Sequence, residues 1–425
     1  MLQDFREYMI RCARCSNCKF IPQGRIANAE YAYSCPSITK YLFHTYSGSG
    51  RLITALSLND GRIDYSEKLL DIIYQCQMCG ACDISCKYGN DIEVLQPLYE
   101  LRVKCVGDGE LNPAHMTIID GLRKEDNMLL ERKADRGNWA EGLDVKSITK
   151  DGAEVYFHTG CRYSYDTELW PVARAAVGLL QKAGVDVAIG GKDENCCGGR
   201  AYDLGYVSEL TKYAENNVEM LRAAKATTVV TGCSDCYHAF KVLYDKLGLK
   251  KDVQVFHITE YLEKLIADGR LKPTKDVPMA VTYHDPCHLG RLGEPWVHWE
   301  GVISTKPDER WRHIPDKQIR KGTYGVYEPP RNVLKSIPGV KLVEMTRIKE
   351  YTWCCGAGGG VVDAYPEFSE WTAGERIKEA KDTGAEALVT ACPWCIRNFK
   401  DSVEASGDSL KVYDVVELLE QSLEG

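Results

Sequence analysis

Residues 155–161 read Val155-Tyr156-Phe157-His158-Thr159-Gly160-Cys161, and residues 281–287 read Val281-Thr282-Tyr283-His284-Asp285-Pro286-Cys287. Each is a short apolar run ending on a cysteine, the pattern of a buried strand followed by a loop. The match continues. Cys196-Cys197-Gly198-Gly199 corresponds to Cys354-Cys355-Gly356-Ala357-Gly358. Val229-Val230-Thr231-Gly232-Cys233-Ser234-Asp235-Cys236 corresponds to Leu388-Val389-Thr390-Ala391-Cys392-Pro393-Trp394-Cys395. Val255-Phe256-His257 and the stretch behind it correspond to Lys411-Val412-Tyr413 and the C-terminal segment. The chain thus contains an internal repeat, and each copy carries five cysteines as C…CC…C-x2-C.

Strand-like runs alternate with amphipathic stretches in both copies. Val207, Leu210, Val218 and Leu221 mark one such helix in the first. This is the pattern of an α/β unit with a mostly parallel sheet. Cys161 and Cys233 directly follow expected strands, and Cys196-Cys197 follows a strand expected at 185–189. In such sheets the carboxyl ends of the strands form the binding edge, so all five thiols of a copy are expected at one rim. Cys233 is also expected to open a helix, whose free N–H groups can donate to a thiolate or sulfide. Gly198 and Gly199, and Gly356, Gly358, Gly359 and Gly360, permit close backbone approach. Five thiols exceed the needs of one zinc or one cubane, which favours an unusual polynuclear cluster. One ordinary metal centre with a spare thiol is the simpler alternative.

The remaining cysteines precede the repeat. Cys12, Cys15 and Cys18 are spaced C-x2-C-x2-C, followed by Cys35-Pro36; Cys76, Cys79, Cys82 and Cys86 are spaced C-x2-C-x2-C-x3-C. The second run is the bacterial ferredoxin pattern, in which the fourth cysteine serves the other cluster. An exchange is therefore expected: Cys12, Cys15, Cys18 and Cys86 around one [4Fe–4S] cubane, and Cys76, Cys79, Cys82 and Cys35 around the other. Two departures weaken the match, the long gap before Cys35 and Lys87 where a second proline is usual. Zinc also uses C-x2-C pairs but rarely a third cysteine at the same short interval. Asp64-Tyr65-Ser66-Glu67 resembles a capping box, opening a helix through Leu69, Leu70, Ile72 and Ile73. A further helix is expected to carry Leu98, Leu101 and Cys105 on one face, with Cys105 a buried core thiol. Lys19, Arg11, Arg14 and Lys87 either offset cluster charge or, the simpler reading, are solvated surface charges.

Composition sets outer limits. The chain has 425 residues, 19 cysteines and a formal charge of −8. Large chains without an export signal seldom use cysteines as a disulfide scaffold, and no basic region followed by an apolar core opens the sequence. The acidic balance argues against nucleic-acid binding. No apolar run approaches the roughly 18 residues of a membrane span, so a cytoplasmic location is expected, with any membrane association peripheral and through partners.

Together, the two-cluster segment, the double C…CCG…C-x2-C repeat, His284-Asp285-Pro286-Cys287-His288-Leu289-Gly290-Arg291 and Cys354-Cys355-Gly356-Ala357-Gly358-Gly359-Gly360 resemble the D-type subunits of heterodisulfide reductases, known for their cysteine-rich CCG domains. The motifs are also similar to the D-like subunit of class II benzoyl-CoA reductase complexes. The resemblance implies an α+β multidomain chain: a helical ferredoxin-like domain at 1–150, a first CCG domain at 151–272 and a second at 273–425. It implies two non-cubane [4Fe–4S] clusters, one on Cys161, Cys196, Cys197, Cys233 and Cys236, the other on Cys287, Cys354, Cys355, Cys392 and Cys395. The expected role is an electron-transfer subunit of an oxidoreductase complex, with an HdrA-like flavoprotein, other redox subunits, ferredoxin or a benzoyl-CoA reductase as partners. Two alternatives are a heterodisulfide reductase acting on its own substrate, and the iron–sulfur subunit of a lactate, glycolate or glycerol-3-phosphate oxidase. No Gly-rich phosphate loop marks a flavin or nicotinamide site. No catalytic residue is assigned beyond the region around the two repeat clusters.

One asymmetry breaks the repeat. Cys196 follows Cys161 by 35 residues, whereas Cys354 follows Cys287 by 67. The extra residues fall near 292–326 and include Trp296, His298, Trp299, Trp311 and His313. This insertion is expected to cover the second cluster, to grip a partner, or simply to pack as a surface loop.

Overall fold

The computed structural model describes residues 1–90, 92–249, 253–304 and 312–423. Two parallel sheets carry the repeat. The first contains β1 (Lys146–Ser147), β2 (Val155–His158), β3 (Val187–Ile189), β4 (Thr228–Thr231) and β5 (Gln254–His257), in the order β1-β3-β2-β4-β5. The second contains β6 (Met279–Tyr283), β9 (Val340–Leu342), β10 (Ala387–Thr390) and β11 (Lys411–Asp414), in the order β9-β6-β10-β11. Every strand pair in both sheets is parallel. The common order confirms the duplication. The residues of β2, β4 and β10 are buried throughout, as expected where helices cover both faces of a sheet.

Both copies end alike. His257 caps the helix Ile258–Ala267 with Glu260 reciprocating, and Asp414 caps Val415–Gln421 with Glu417 reciprocating. Such reciprocal caps satisfy the free N–H groups at a helix start. The strand expected at 185–189 is shorter, beginning at Val187. The edge strand β1 lies upstream of residue 151 and joins the first repeat's sheet through β3.

The N-terminal part is helical, built on Gly48–Asn59, Glu67–Tyr74, Ala81–Lys87, Leu95–Gly107 and Pro113–Glu125. Its one described strand-like contact is an isolated bridge between Phe20 and Tyr33. The helix expected to open near Asp64 starts at Glu67, because the Ser66 hydroxyl accepts from the Leu69 N–H. Cys105 is fully buried on Leu95–Gly107, beside Tyr65. Lys87 is not a solvated charge: it is 4% exposed and lies 2.7 Å from both Asp83 and Glu93. Arg14 is exposed, while Arg11 and Lys19 are half-buried.

The insertion is ordered around an antiparallel hairpin of β7 (Val302–Ser304) and β8 (Arg312–Ile314). Its two ends are tied together. The Glu294 carboxylate accepts from the Gly322 and Tyr324 N–H groups, and the Tyr327 hydroxyl donates to the Gly322 carbonyl. Trp311 lies outside the described residues. Among the described residues no helix is long and apolar enough to cross a membrane.

Candidate metal centres

The two N-terminal cysteine runs adopt the same unusual backbone. Arg14 and Ser16 flank Cys15 with φ of 56° and 72°, and Met78 and Gly80 flank Cys79 with φ of 53° and 75°. Left-handed non-glycine residues are uncommon and concentrate at functional loops. Here they curl each loop so that successive thiols turn inward. Cys86 stands among Cys12, Cys15 and Cys18; burial first, then the Asp83 carboxylate and these neighbours, push its thiol up to about 12. Cys35 caps the helix Pro36–Tyr41 and lies beside Cys76 and Cys79, and burial raises it likewise to about 12. Cys82 faces Cys35, Cys76 and Cys79. The structure therefore gathers two sets of four with the fourth cysteine exchanged. The Ser49 N–H points at the Cys18 sulfur at 3.4 Å, and the Asn90 amide at the Cys15 sulfur at 3.6 Å.

In each repeat the five cysteines meet at the carboxyl edge of the sheet. In the first, the thiol contacts run Cys161–Cys196–Cys197–Cys236–Cys233. In the second they run Cys287–Cys354–Cys355–Cys395–Cys392. The supports are parallel. Gly198 N–H donates to the Cys196 sulfur at 3.4 Å, and Gly356 N–H to the Cys354 sulfur at 3.4 Å. Cys233 and Cys392 each cap a following helix, Ser234–His238 and Pro393–Ser406. A Cβ on Gly160 would stand 2.9 Å from the Cys236 sulfur, so glycine is required there.

Several functional neighbours were not assigned from the sequence; Arg136 and Glu194 carry no motif, whereas the repeat marks His284 without its contacts. Arg136, fully buried, reaches the Cys161 sulfur with both terminal nitrogens at 3.7 Å and pairs with Glu194 at 2.8 Å. Glu194 also accepts from the Thr159 and Gly160 N–H groups, fixing the turn into Cys161. In the second repeat His284 contacts the Cys355 thiol, and its Nδ1 lies 3.1 Å from Arg376 Nε. The ligand atoms of His284, Cys355 and Cys395 lie within 4.8 Å of one another. The equivalent His158 instead bonds the Tyr156 hydroxyl at 3.1 Å.

The second repeat receives the ferredoxin part. Cys354 contacts Cys79 as well as Cys287. A Cβ on Gly358 or Gly359 would stand 2.5 Å from the carbonyl oxygen of Gln77 or Cys76, and one on Gly360 would collide with His115. These glycines open room for the neighbouring loop rather than for their own cysteines. Arg102, almost fully buried, holds the junction. Its guanidinium donates to the carbonyls of Ile73, Tyr74 and Cys76, of Asp203 in the first repeat, and of Gly359 in the second.

Where the two repeats meet, a small internal cavity is lined by Arg200, Asp235, His288, Trp394, Cys287 and Cys392. It shares Trp394 and Ala357 with an open cleft of about 430 Å³ that bears Arg162 and Arg397. No described residue of the insertion lines either space. The described residues of the insertion therefore do not close this side of the second cysteine set.

Residues 155–241 and 281–400 match the cysteine-rich domain family, and residues 8–90 match the 4Fe-4S dicluster domain family. The D-type subunit of dihydromethanophenazine:CoB–CoM heterodisulfide reductase from Methanosarcina acetivorans is 34% identical over 422 residues, spanning 97% of this chain and 93% of that protein. The chain belongs to the family of D-type heterodisulfide reductase subunits. It is an iron–sulfur oxidoreductase subunit of that type. Two longer relatives are the probable iron-sulfur-binding oxidoreductase FadF of Bacillus subtilis and the EtfAB:quinone oxidoreductase of Syntrophomonas wolfei. Both are 30% identical, over 89% and 83% of this chain and 50% and 47% of their own lengths. A crystal structure of a hypothetical Helicobacter pylori protein shares the fold, with TM-score 0.51 and 12% identity over 89% of this chain and 68% of that one.

The donor sets fit iron–sulfur clusters. Seventeen of the eighteen cysteines in the four sets are buried or half-buried, with Cys15 exposed. Thiolates packed this closely repel one another, and burial opposes their ionisation. A bound polynuclear cation removes both costs, and the N–H groups aimed at Cys18, Cys196 and Cys354 suit a ligated thiolate.

Proposed function

We propose that this chain relays electrons within a heterodisulfide-reductase-like complex through two cubane and two non-cubane [4Fe–4S] clusters. Cys12, Cys15, Cys18 and Cys86 would hold one cubane, and Cys76, Cys79, Cys82 and Cys35 the other. Cys161, Cys196, Cys197, Cys233 and Cys236 would hold one non-cubane cluster; Cys287, Cys354, Cys355, Cys392 and Cys395 would hold the second. The observation that carries the reading is the unbroken line of thiol contacts from Cys79 through Cys354 into the second repeat and across Cys392–Cys233 into the first. Bound clusters of this kind supply one-electron chemistry at potentials spanning roughly −700 to +450 mV.

The protein's own residues set the conditions. Left-handed residues around Cys15 and Cys79 fix the loops. Buried Arg136 and Arg291 lie beside the Cys161 and Cys287 sulfurs, where a fixed positive charge favours the thiolate. Close packing excludes water, and with it loss of ligands by protonation. The domain limits 1–150, 151–272 and 273–425 belong to the same proposal, as do partner subunits that supply flavin.

Iron and acid-labile sulfide analysis tests the reading: about sixteen irons per chain are expected from four clusters of four. About eight irons would remove the non-cubane clusters, and zinc without sulfide would remove the whole proposal. A second reading, reduction of a disulfide by this chain, draws on the open cleft with Arg162 and Arg397 leading toward Cys287 and Cys392. Turnover of a heterodisulfide by the isolated chain supports it; oxidation only by a partner subunit leaves the relay.

A further inference from the structure

The insertion encloses a second space, a cavity of about 590 Å³ between itself, the ferredoxin part and the first repeat. This volume is typical of a small-molecule site. Its polar wall is unusual. Lys246 and Arg320 both approach the ring of Trp296, at 5.0 and 5.2 Å from its centroid. Lys246 donates to the Gln96 side-chain oxygen at 2.8 Å and to the Tyr202 hydroxyl at 2.7 Å. Arg320 donates to the backbone carbonyls of Pro295 and Glu294. Among the described residues neither cation has a carboxylate partner.

The acids of the wall are already committed. Glu93 sits between Lys87 and Lys317 at 2.7 and 2.6 Å. Asp83 bonds Lys87 and the N–H groups of Val94 and Leu95. Asp4 pairs with the N-terminus and Glu7 with Arg11. Two further buried groups of the wall have an open position. His238 engages the Leu292 carbonyl through Nδ1 at 2.8 Å, leaving Nε2 without a partner, and Arg291 leaves Nη2 without one. His238 leads into a π-helical turn, Ala239–Leu243, a local distortion that recurs at functional sites. Tyr99, Leu243, Leu292, Trp299 and Ile303 supply an apolar lining.

We propose that this cavity binds an organic anion, its carboxylate or phosphate against Lys246 and Arg320 and its apolar body along Tyr99, Leu243 and Trp296. Both cations are half-buried, and the acids that act on them are engaged elsewhere, Glu294 by the Gly322 and Tyr324 N–H groups and Glu100 by the N-terminus. Partly desolvated charge without a direct partner is costly, and an anionic ligand would supply that partner. Consistently, burial lowers Lys246 to about 8 and depresses Arg320. The site goes beyond the relay of electrons and does not depend on it, since none of the cluster cysteines lines the cavity.

Calorimetric titration of the intact, cluster-loaded protein with 3-phenylpropionate and with phenyl phosphate tests this, with inorganic phosphate and benzyl alcohol as comparisons. At least one of the two aromatic anions is expected to bind one per chain with Kd of about 1 mM or tighter. Which of them binds distinguishes carboxylate from phosphate. Arg320→Gln and Lys246→Met are each expected to weaken binding about tenfold or more, a loss of roughly 1.4 kcal/mol, with iron content unchanged. The proposal is overturned if neither anion binds, if both variants bind as tightly as the parent, or if benzyl alcohol or inorganic phosphate binds equally well.

Discussion

Cys233 and Cys392, one from each repeat, stand thiol to thiol across the seam between the two sheets. Nearby, the Ser234 hydroxyl donates to the Ala391 carbonyl at 3.0 Å, and the Tyr163 hydroxyl to the Asp414 carboxylate at 3.0 Å. The seam is thus a packed interior, and the two carboxyl edges face each other across it.

The Arg136–Glu194 pair gives the first prediction. Removing one member of a buried pair costs about 3–5 kcal/mol, because the other charge is left unpaired. Arg136→Met is expected to destabilise by that order and to alter the EPR spectrum of the first repeat's centre. Arg136→Met combined with Glu194→Gln should recover much of the stability in urea unfolding, but not the spectrum. Recovery of both would show that Arg136 acts only as a partner for Glu194.

Arg102→Met leaves five buried carbonyls without a donor. A loss of about 3 kcal/mol or more is expected, since unsatisfied buried groups cost about 1–3 kcal/mol each and water recovers some. Limited proteolysis should then cut between the ferredoxin part and the repeats. Unchanged protease resistance would show that Arg102 does not hold the junction.

Gly359→Ala places a methyl group 2.5 Å from the Cys76 carbonyl oxygen, on a residue with φ of 59°. Gly142→Ala, at φ of 78° with nothing within 4 Å, isolates the backbone effect, which is about 1 kcal/mol. The Gly359 variant should fall well below this control in thermal melts. Equal melting temperatures would refute the close docking of the two segments.

Asp414 introduces a pH dependence. Burial raises its carboxyl to about 8, against about 3.9 in an unfolded chain. The folded state therefore holds the proton while the unfolded state releases it. This contribution is fully present below about pH 4 and is lost as pH rises toward 8. Asp414→Asn keeps a side-chain oxygen for the Val416 N–H and removes the titration. Between pH 6 and 8 the parent should lose about 2 kcal/mol more than the variant in urea unfolding. Parallel pH profiles would contradict this.

Cys105→Ala should leave iron and sulfide content unchanged while costing about 1–2 kcal/mol for the lost packing. Loss of four irons would instead make Cys105 a ligand.

Much of this arrangement was legible in the sequence because cysteine spacing and strand periodicity are local signals. The repeat, its parallel sheets and the five-cysteine pattern all follow from runs such as Val229–Cys236. The roles of Arg102 and Arg136 were not legible, because their partners Gly359 and Cys161 are far away in the chain and a lone arginine has no pattern; the repeat marks His284, but not its contact with Cys355. Lys87 was misread for a different reason: its partners Asp83 and Glu93 are close in the chain, but its burial is a tertiary fact. The glycines after Cys355 were correctly read as close-approach positions, yet the approaching backbone belongs to Cys76 and Gln77.

Accessibility falls steeply along the line of thiols. Cys15 is exposed and Cys12 half-buried, whereas every cysteine of the two repeats is buried. Oxygen and chelators meet the outer end first. Oxidative damage to this protein should therefore advance like corrosion from one terminal, severing the connection to the outside while the innermost centres are still intact.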